Sequence, residues 1–376
     1  MEFIHDSRAI GIVLISVTFL SLLISNSRWG SGYIAFWERQ LHVNIPLHVP
    51  HSILHIINDG LMALFFFLVG LEIKRELLVG ELSSLKKSVL PIIAAVGGMV
   101  VPAAFYGLWC GSSPFSSGWG IPMATDIAFS LGVLSLLGKR APLQLRIFLT
   151  ALAIIDDLGG ILAIAVFYTA SINLPYLFAA LGLFFALCLL NYLKITRYRT
   201  YFILGIVLWY LVYNSGIHAT IAGILLAFAI PLQKINKLEH TLHDPVNFII
   251  LPIFALANTA IIIPNELGFI YSSIVHHGIF MGLVLGKPIG IFVFSIVAVR
   301  LGVGALPENV EWKHIWGMGM IAGIGFTMSI FIATLAYELP GIQLIAKVSV
   351  IGASLVSGML GFAYLKWLNS NSVERK

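Results

Sequence analysis

Apolar runs occupy most of the chain and are separated by short polar connections. A helix needs about 20 apolar residues to cross the hydrocarbon core of a bilayer, so this pattern predicts twelve spans. The seventh and eighth spans are short, and a polar segment ending at Gly216 separates them. The pattern predicts an all-α polytopic membrane protein with one transmembrane domain over residues 1–376. The approximate limits of the spans are 9–26, 53–79, 88–110, 118–138, 143–169, 174–193, 200–213, 216–230, 245–264, 274–299, 314–337 and 343–367.

The composition supports a membrane protein. Hydrophobic residues make up 59% of the chain and charged residues only 10%, whereas soluble proteins carry about 25% charged residues. The sequence contains no nucleotide-binding loop and no nucleophile–base set, so neither an enzyme activity nor a cofactor is expected. Cys110 and Cys188 lack metal-ligand spacing and are interpreted as packing residues.

The distribution of Lys and Arg predicts the orientation in the membrane. With the N-terminus in the cytoplasm, 18 of the 22 basic residues lie inside, and only Arg28 and Arg39 lie outside. Lys287 and Lys347 fall within spans. The bias therefore predicts that both termini are cytoplasmic. It also explains the net charge of +5 without a nucleic-acid partner.

The longest predicted outer loop covers about residues 27–52. It contains the alternating stretch Leu41-His42-Val43-Asn44-Ile45 followed by Pro46, which indicates a short β-hairpin. An exposed hairpin edge can pair with a second copy of itself. A dimer contact and a loop folded on its own protein both remain open.

Two spans carry residues that interrupt helices. Residues 119–129 in span four and 316–326 in span eleven share Trp, Gly, Met, Ile and Phe at an offset of 197. Pro122 weakens the first helix, and Gly323 and Gly325 weaken the second. Interrupted helices need a protected polar cavity in a membrane, and a pair of them in corresponding positions indicates a transporter binding site. Close helix packing through glycine is the alternative.

Four charged residues lie near the predicted midplane: Asp126 at the break of span four, Asp156 and Asp157 in span five, and Lys287 in span ten. Each costs at least about 2.5–3.5 kcal/mol to insert. Neighbouring helix positions differ by about 100°, so one aspartate can bind a cation while the other pairs with Lys287. Mutual repulsion raises the proton affinity of one carboxylate. With Thr125, these oxygens suit sodium or lithium.

A second interpretation applies to two of these charges. Asp126 can neutralise the positive ends of broken helices and Lys287 the negative ends, which would make both structural compensators. Asp59, near the outer end of span two, is interpreted as a polar helix-end residue without a transport role.

A further ionisable cluster is predicted at the cytoplasmic surface. Glu72, Arg75 and Glu76 share one helix face because of their i, i+3, i+4 spacing. Glu239 and His243 follow in a short loop before span nine, with His240 between them. Since histidine titrates near neutral pH, the cluster could sense pH. A solvated helix end with salt bridges is the alternative.

Several of these stretches together resemble the NhaA-type sodium/proton antiporter family. The resemblance extends over about residues 8–368 and is carried by specific motifs. They are Asn58-Asp59-Gly60-Leu61-Met62-Ala63, Gly70-Leu71-Glu72-Ile73-Lys74-Arg75-Glu76-Leu77, Pro122-Met123-Ala124-Thr125-Asp126-Ile127-Ala128-Phe129, Ala153-Ile154-Ile155-Asp156-Asp157-Leu158-Gly159, Ser215-Gly216-Ile217-His218-Ala219-Thr220, Leu238-Glu239-His240, Gly286-Lys287-Pro288 and Gly323-Ile324-Gly325-Phe326-Thr327-Met328-Ser329-Ile330.

The resemblance implies a fold of twelve spans, with inverted repeats at about residues 88–169 and 274–367. It also implies that broken spans four and eleven cross. The implied activity is electrogenic exchange of two protons for one sodium or lithium ion across the bacterial inner membrane, serving sodium extrusion and cytoplasmic pH regulation. The family's outer hairpin implies a homodimer.

The resemblance also assigns roles to residues. Asp157 is the implied main cation ligand and proton carrier, Asp156 joins the site and can pair with Lys287, and Thr125 and Asp126 line or balance it. The implied pH-response residues are Glu72, Arg75, Glu76, Glu239 and His243. The short loop between spans eight and nine departs from the pattern, so a different pH profile is expected.

Two other kinds of function remain as alternatives. One is a secondary transporter of an organic anion that uses helix N-termini as its anion site, although the adjacent acidic pair disfavours it. The other is an ion channel or a sensor that does not transport.

Overall fold

The computed structural model describes residues 7–41, 49–138, 141–169, 172–264, 266 and 268–373. Helices dominate these residues, and the described part contains no β-strand beyond a single bridge. The helices are α1 Ser7–Ser25, α2 Gly30–Glu38, α3 Ile53–Leu78, α4 Leu85–Cys110, α5 Ile127–Leu136, α6 Leu143–Phe167, α7 Leu174–Tyr192, α8 Tyr198–Asn214, α9 Ile221–Ala229, α10 Leu232–Pro245, α11 Leu251–Asn258, α12 Gly268–Tyr271, α13 Ile274–Arg300, α14 Trp312–Ala322, α15 Phe326–Ala336 and α16 Pro340–Val373.

Eight helical segments of the described chain are long and apolar enough to cross a membrane, or nine if the bent pair α14–α15 counts as one span. The all-α membrane architecture is thereby confirmed. Predicted spans seven, eight and nine contain the shorter helices α8, α9 and α11, of 17, 9 and 8 residues. The total of twelve spans stays a prediction.

The chain forms two compact units. Unit 1 comprises the described residues of Met1–Ile15, Glu81–Gly160 and Ile263–Lys376. Unit 2 comprises Ser16–Gly80 and Ile161–Ile262. Most of the first predicted repeat and all of the second fall within unit 1.

Unit 2 has its own apolar core, formed by residues of α3, α7, α8, α9 and α10. These residues are almost completely buried. In a membrane, helices associate mainly through side-chain packing and not through the hydrophobic effect. These side chains include Phe67, Leu71, Leu187, Tyr201, Leu208 and Ile235.

Residues 232–245 form helix α10, so the prediction of a loop around Glu239 and His243 is wrong. Ile235, Leu238 and Leu242 recur at helical spacing and pack on the core of unit 2. The remaining positions are mostly polar and exposed. A search for long apolar runs misses such an amphipathic helix because polar residues separate its apolar positions.

Three wide π-helical turns interrupt the regular helices of the described chain. They cover Ile56–Leu61 within α3, Val246–Ile250 between α10 and α11, and Gly282–Gly286 within α13. Single π turns are often found at functional sites. The third one ends directly before Lys287.

Most of the outer hairpin predicted at residues 41–50 lies outside the described residues, which omit 42–48. The residues flanking it run antiparallel: the amide of Leu41 donates to the carbonyl of His51 at 2.7 Å, and Gln40 and Ser52 form the bridge. Four basic residues of the topology prediction also lie outside the described residues. They are Lys139, Arg140, Arg375 and Lys376.

Candidate ion-binding site

Both segments that were predicted to be interrupted contain non-helical residues. In the first, a 3₁₀ turn covers Ser116–Met123 with Pro122 inside it, and α5 starts only at Ile127. Ala124 has extended backbone angles, with φ −81° and ψ 147°. Proline removes a backbone donor and favours such an interruption.

In the second segment, α14 ends at Ala322 and α15 begins at Phe326, with their axes bent by 48°. Gly323 and Gly325 lie in this break. A Cβ atom at Gly323 would lie 2.5 Å from the Leu283 carbonyl oxygen and 2.7 Å from Ser357 Oγ. These distances are too short for any side chain, so the break requires glycine at this position.

The two breaks bind each other through hydrogen bonds. The amide of Asp126 donates to the carbonyl of Ile324 at 2.7 Å, and Thr125 Oγ1 donates to the carbonyl of Ala322 at 2.9 Å. Ser329 Oγ donates to the carbonyl of Ile121 at 2.7 Å. Backbone groups freed by a broken helix must find partners inside a membrane protein, and here each break supplies them to the other.

The Asp126 carboxylate caps the beginnings of both helices that follow the breaks. Its Oδ1 accepts from the amide of Phe129 at 2.9 Å in α5. Its Oδ2 accepts from the amide of Thr327 at 3.1 Å and from Thr327 Oγ1 at 2.5 Å in α15. A negative charge near helix N-termini is stabilising, so this geometry supports the interpretation of Asp126 as a charge compensator.

Asp156 forms an ion pair with Lys287, and both side chains are 0% exposed. Lys287 Nζ donates to Asp156 Oδ2 at 2.5 Å and also to the carbonyl of Met123. Thr125 Oγ1 lies 2.6 Å from the same Oδ2, so its single hydroxyl hydrogen has two possible acceptors, this oxygen and the carbonyl of Ala322. Asp156 Oδ1 has no hydrogen-bond partner among the described residues. Asp156 therefore retains one oxygen for another ligand.

Asp157 is the next residue of α6 and is 2% exposed. Lys287 interacts with it electrostatically, in addition to its direct contact with Asp156. The two carboxylates thus have different surroundings, because consecutive side chains on a helix point about 100° apart. The described residues contain no group of three His, Cys, Asp or Glu side chains placed to hold a metal ion. The carboxylate oxygens of Asp156 and Asp157 and the hydroxyl of Thr125 are hard oxygen ligands, which suit a hard cation.

A separate charged cluster lies in unit 2, and we call it the Arg75 cluster: Glu72, Arg75, Glu76, Glu239 and His243. The Arg75 guanidinium pairs with Glu76 at 3.0 Å and with Glu239 at 2.9 Å. Burial raises the pKa of Glu239, while Arg75 lowers it. His243 acts on Glu239 electrostatically and lies 3.2 Å from Asp244.

The structure thus places the sequence-predicted residues in two groups. Thr125, Asp126, Asp156, Asp157 and Lys287 lie together at the breaks of unit 1, and the Arg75 cluster lies in unit 2.

Sequence reasoning missed two residues. Thr327 binds Asp126, and its position directly after the Gly325 break was the available signal. Lys74 is buried among carbonyls, but it was counted only as a topology charge.

Comparison with known proteins gives a consistent result. The family model described as Na+/H+ antiporter 1 matches residues 1–365. The chain is 50% identical over 373 residues to a protein named Na(+)/H(+) antiporter NhaA 1 from Flavobacterium johnsoniae, covering 97% of this chain and 96% of that protein. It is 48% identical to an antiporter named NhaA from Cytophaga hutchinsonii, covering 97% and 94%. The chain therefore belongs to the Na+/H+ antiporter 1 family.

Proposed function

We propose that this protein exchanges sodium ions for protons across a membrane. The carrying observation is the fully buried Asp156–Lys287 pair, with Asp157 beside it, at the junction of two interrupted helices. Its relatives are named as Na(+)/H(+) antiporters. Buried charges of this kind are costly in a membrane and are retained for function.

In the proposed cycle, Asp157 is the main cation ligand and proton carrier. Asp156 contributes its second oxygen, and Lys287 balances Asp156 while no cation is bound. When the site opens to an acidic outside, the carboxylates take up protons. When it opens to the less acidic cytoplasm, the protons leave and sodium or lithium binds.

The proposed exchange of two protons for one cation moves net charge. The membrane potential then contributes about 2.3 kcal/mol per charge per 100 mV. Sodium extrusion and cytoplasmic pH regulation follow from this coupling. The Arg75 cluster is the proposed pH-responsive region, because it combines a partly buried carboxyl, an arginine and a histidine.

The proposed architecture is one transport domain with twelve spans, inverted repeats and crossed interrupted helices, in the inner membrane of a bacterium and with both termini cytoplasmic. The proposed homodimer contact is the predicted outer hairpin, in the loop that contains the paired residues Gln40 and Ser52.

The geometry disfavours transport of an organic anion. An anion site at the breaks would use the N-termini of α5 and α15. The Asp126 carboxylate already accepts hydrogen bonds at both N-termini. A transported anion would have to displace a buried negative charge that is held there covalently.

The test is sodium-dependent proton movement in vesicles reconstituted with purified protein. Asp157→Asn removes the proposed proton carrier with little change in size, so we expect exchange to fall to the rate of protein-free vesicles. The control is Glu308→Gln, which neutralises an exposed carboxylate and should exchange as the unmodified protein does.

Normal exchange by Asp157→Asn would contradict the assigned role of Asp157. Sodium flow through the unmodified protein without proton movement would indicate a channel instead. At zero voltage and a fixed pH gradient, the sodium gradient that stops proton flux gives the number of protons exchanged for each sodium ion.

A further inference from the structure

Helices α3 and α9 approach each other closely in unit 2. At Gly70, an added Cβ would lie 2.7 Å from Ala227 Cβ and 3.2 Å from Ile224 Cα. Small residues allow membrane helices to pack at such short range. One helical turn after Gly70 lies Lys74, which is 8% exposed.

The Lys74 ammonium caps the end of α9. Its Nζ donates to the carbonyl of Phe228 at 2.7 Å and to the carbonyl of Ile230 at 2.5 Å. The last carbonyls of a helix lack partners within it, and Pro231 has no amide hydrogen to supply one. The positive charge also suits the negative end of the α9 dipole.

Arg75, the residue after Lys74, contacts helix α10, which follows α9 in the chain. Arg75 pairs with Glu239 in α10, 2.9 Å away. Lys74 therefore binds the chain just before α10 begins, and Arg75 binds it eight residues into that helix. Two consecutive basic residues of α3 therefore contact the chain on either side of the start of α10.

We propose that Lys74 is a positioning residue for the Arg75 cluster: by binding the carbonyls of Phe228 and Ile230 it holds α10 where Glu239 meets Arg75. This role rests on the proposed function, because it presupposes that the cluster responds to pH. The charged or titratable groups around this contact are Glu72, Arg75 and Glu76 of α3, Cys188 of α7, and Glu239, His243 and Asp244 of α10.

The variant Lys74→Met keeps the unbranched stem of the side chain and removes the ammonium with its three donors. Amide hydrogen exchange followed by mass spectrometry on the full-length protein should be about tenfold to a hundredfold faster over residues 228–239, the range expected when hydrogen bonds from a charged donor are lost. Exchange over residues 143–160 of α6, which lie in unit 1, should stay unchanged. In Lys74→Gln, whose amide can still donate, the increase should be smaller.

The control is Lys237→Met, which removes a basic residue from the exposed face of α10 itself. In this variant we expect amide hydrogen exchange over residues 228–239 to match that of the unmodified protein. Unchanged exchange over residues 228–239 in Lys74→Met and Lys74→Gln would overturn the proposal. A uniform increase that includes α6 would also overturn it, because Lys74 would then serve general stability.

Antiport by reconstituted vesicles gives the second readout. Lys74→Met should shift the pH of half-maximal exchange while maximal exchange remains near that of the unmodified protein. A loss of exchange at every pH, with the midpoint unchanged, would contradict a positioning role. Hydrogen exchange does not depend on transport, so failure of the proposed antiport would be seen separately, in the unmodified protein.

Discussion

The protein contains two acid–base pairs of similar geometry in very different surroundings. Lys287 and Asp156 lie 2.5 Å apart with both side chains 0% exposed. Arg75 and Glu239 lie 2.9 Å apart with side chains 36% and 18% exposed. Since solvent screens charges, the first pair interacts much more strongly than the second, but it has also lost more hydration.

The difference in exposure changes what the loss of one partner does to each ion pair. In the buried pair, removal of one partner leaves a buried charge with neither water nor its counter-charge, which costs several kcal/mol. In the Arg75 cluster, water can replace a lost partner at small cost. A cluster of that kind can change protonation without disturbing the rest of the fold.

The largest expected effect concerns the buried pair. Lys287→Met leaves Asp156 unpaired, and we expect the free energy of unfolding to fall by about 3–5 kcal/mol. Adding Asp156→Asn should recover most of this loss, because a neutral pair needs no compensation. Thermal unfolding in one detergent compares the two variants. Equal stability of the single and double variants would show that desolvation does not control this pair.

A smaller effect is expected at Thr327, whose hydroxyl donates to the Asp126 carboxylate alongside backbone amides. Thr327→Val keeps the shape and the amide but removes that donor, and stability should fall by about 1–3 kcal/mol. Thr334→Val is the control on the same helix, since the Thr334 hydroxyl binds only the carbonyl of Phe331 within α15. If both variants lose equal stability, the contact with Asp126 contributes nothing special.

The smallest effect on stability is expected at Arg75. Arg75→Met should lower the free energy of unfolding by no more than about 1 kcal/mol, as for other partly exposed pairs. Because Arg75 lowers the pKa of Glu239 against the raising effect of burial, the variant should raise that pKa further. Lys237→Met provides the control for loss of a positive charge.

The sign of the pH effect follows from linkage. A carboxyl with a raised pKa in the folded protein contributes stability at low pH, and this contribution is lost as the pH rises through the raised pKa. In Arg75→Met the loss should extend to higher pH than in the unmodified protein. Thermal unfolding across a pH series measures it; a loss that ends at lower pH would contradict the assigned action of Arg75.

The sequence predicts the charged centre of the protein because a membrane excludes charge so strongly. Asp156, Asp157 and Lys287 stand out in apolar runs, and the glycines at 323 and 325 stand out as weak points of a helix. Which aspartate pairs with the lysine depends on helix rotation. Helix geometry alone left both choices open, the family resemblance implied Asp156, and in the structure the pair forms with Asp156.

Other features depend on weaker signals. Thr327 looks like any hydroxyl in a membrane helix, and only the folded chain brings it to Asp126. Helix α10 has the spacing of an amphipathic helix but not the hydrophobicity of a span. The positive-inside rule already accounts for Lys74 in the sequence, so nothing there indicates its buried contacts with Phe228 and Ile230. In each case the deciding partner lies far away in the chain.

The π turn at Gly282–Gly286 has a consequence for chain length. A π turn holds one residue more than an α turn, so the residues after it are rotated by about 100° relative to an uninterrupted α-helix. Lys287 is the first of them. The direction of its ammonium therefore depends on the number of residues before it as well as on their identity. A relative that lacked one residue in this turn could keep every charged residue of the site and still lose the pair with Asp156.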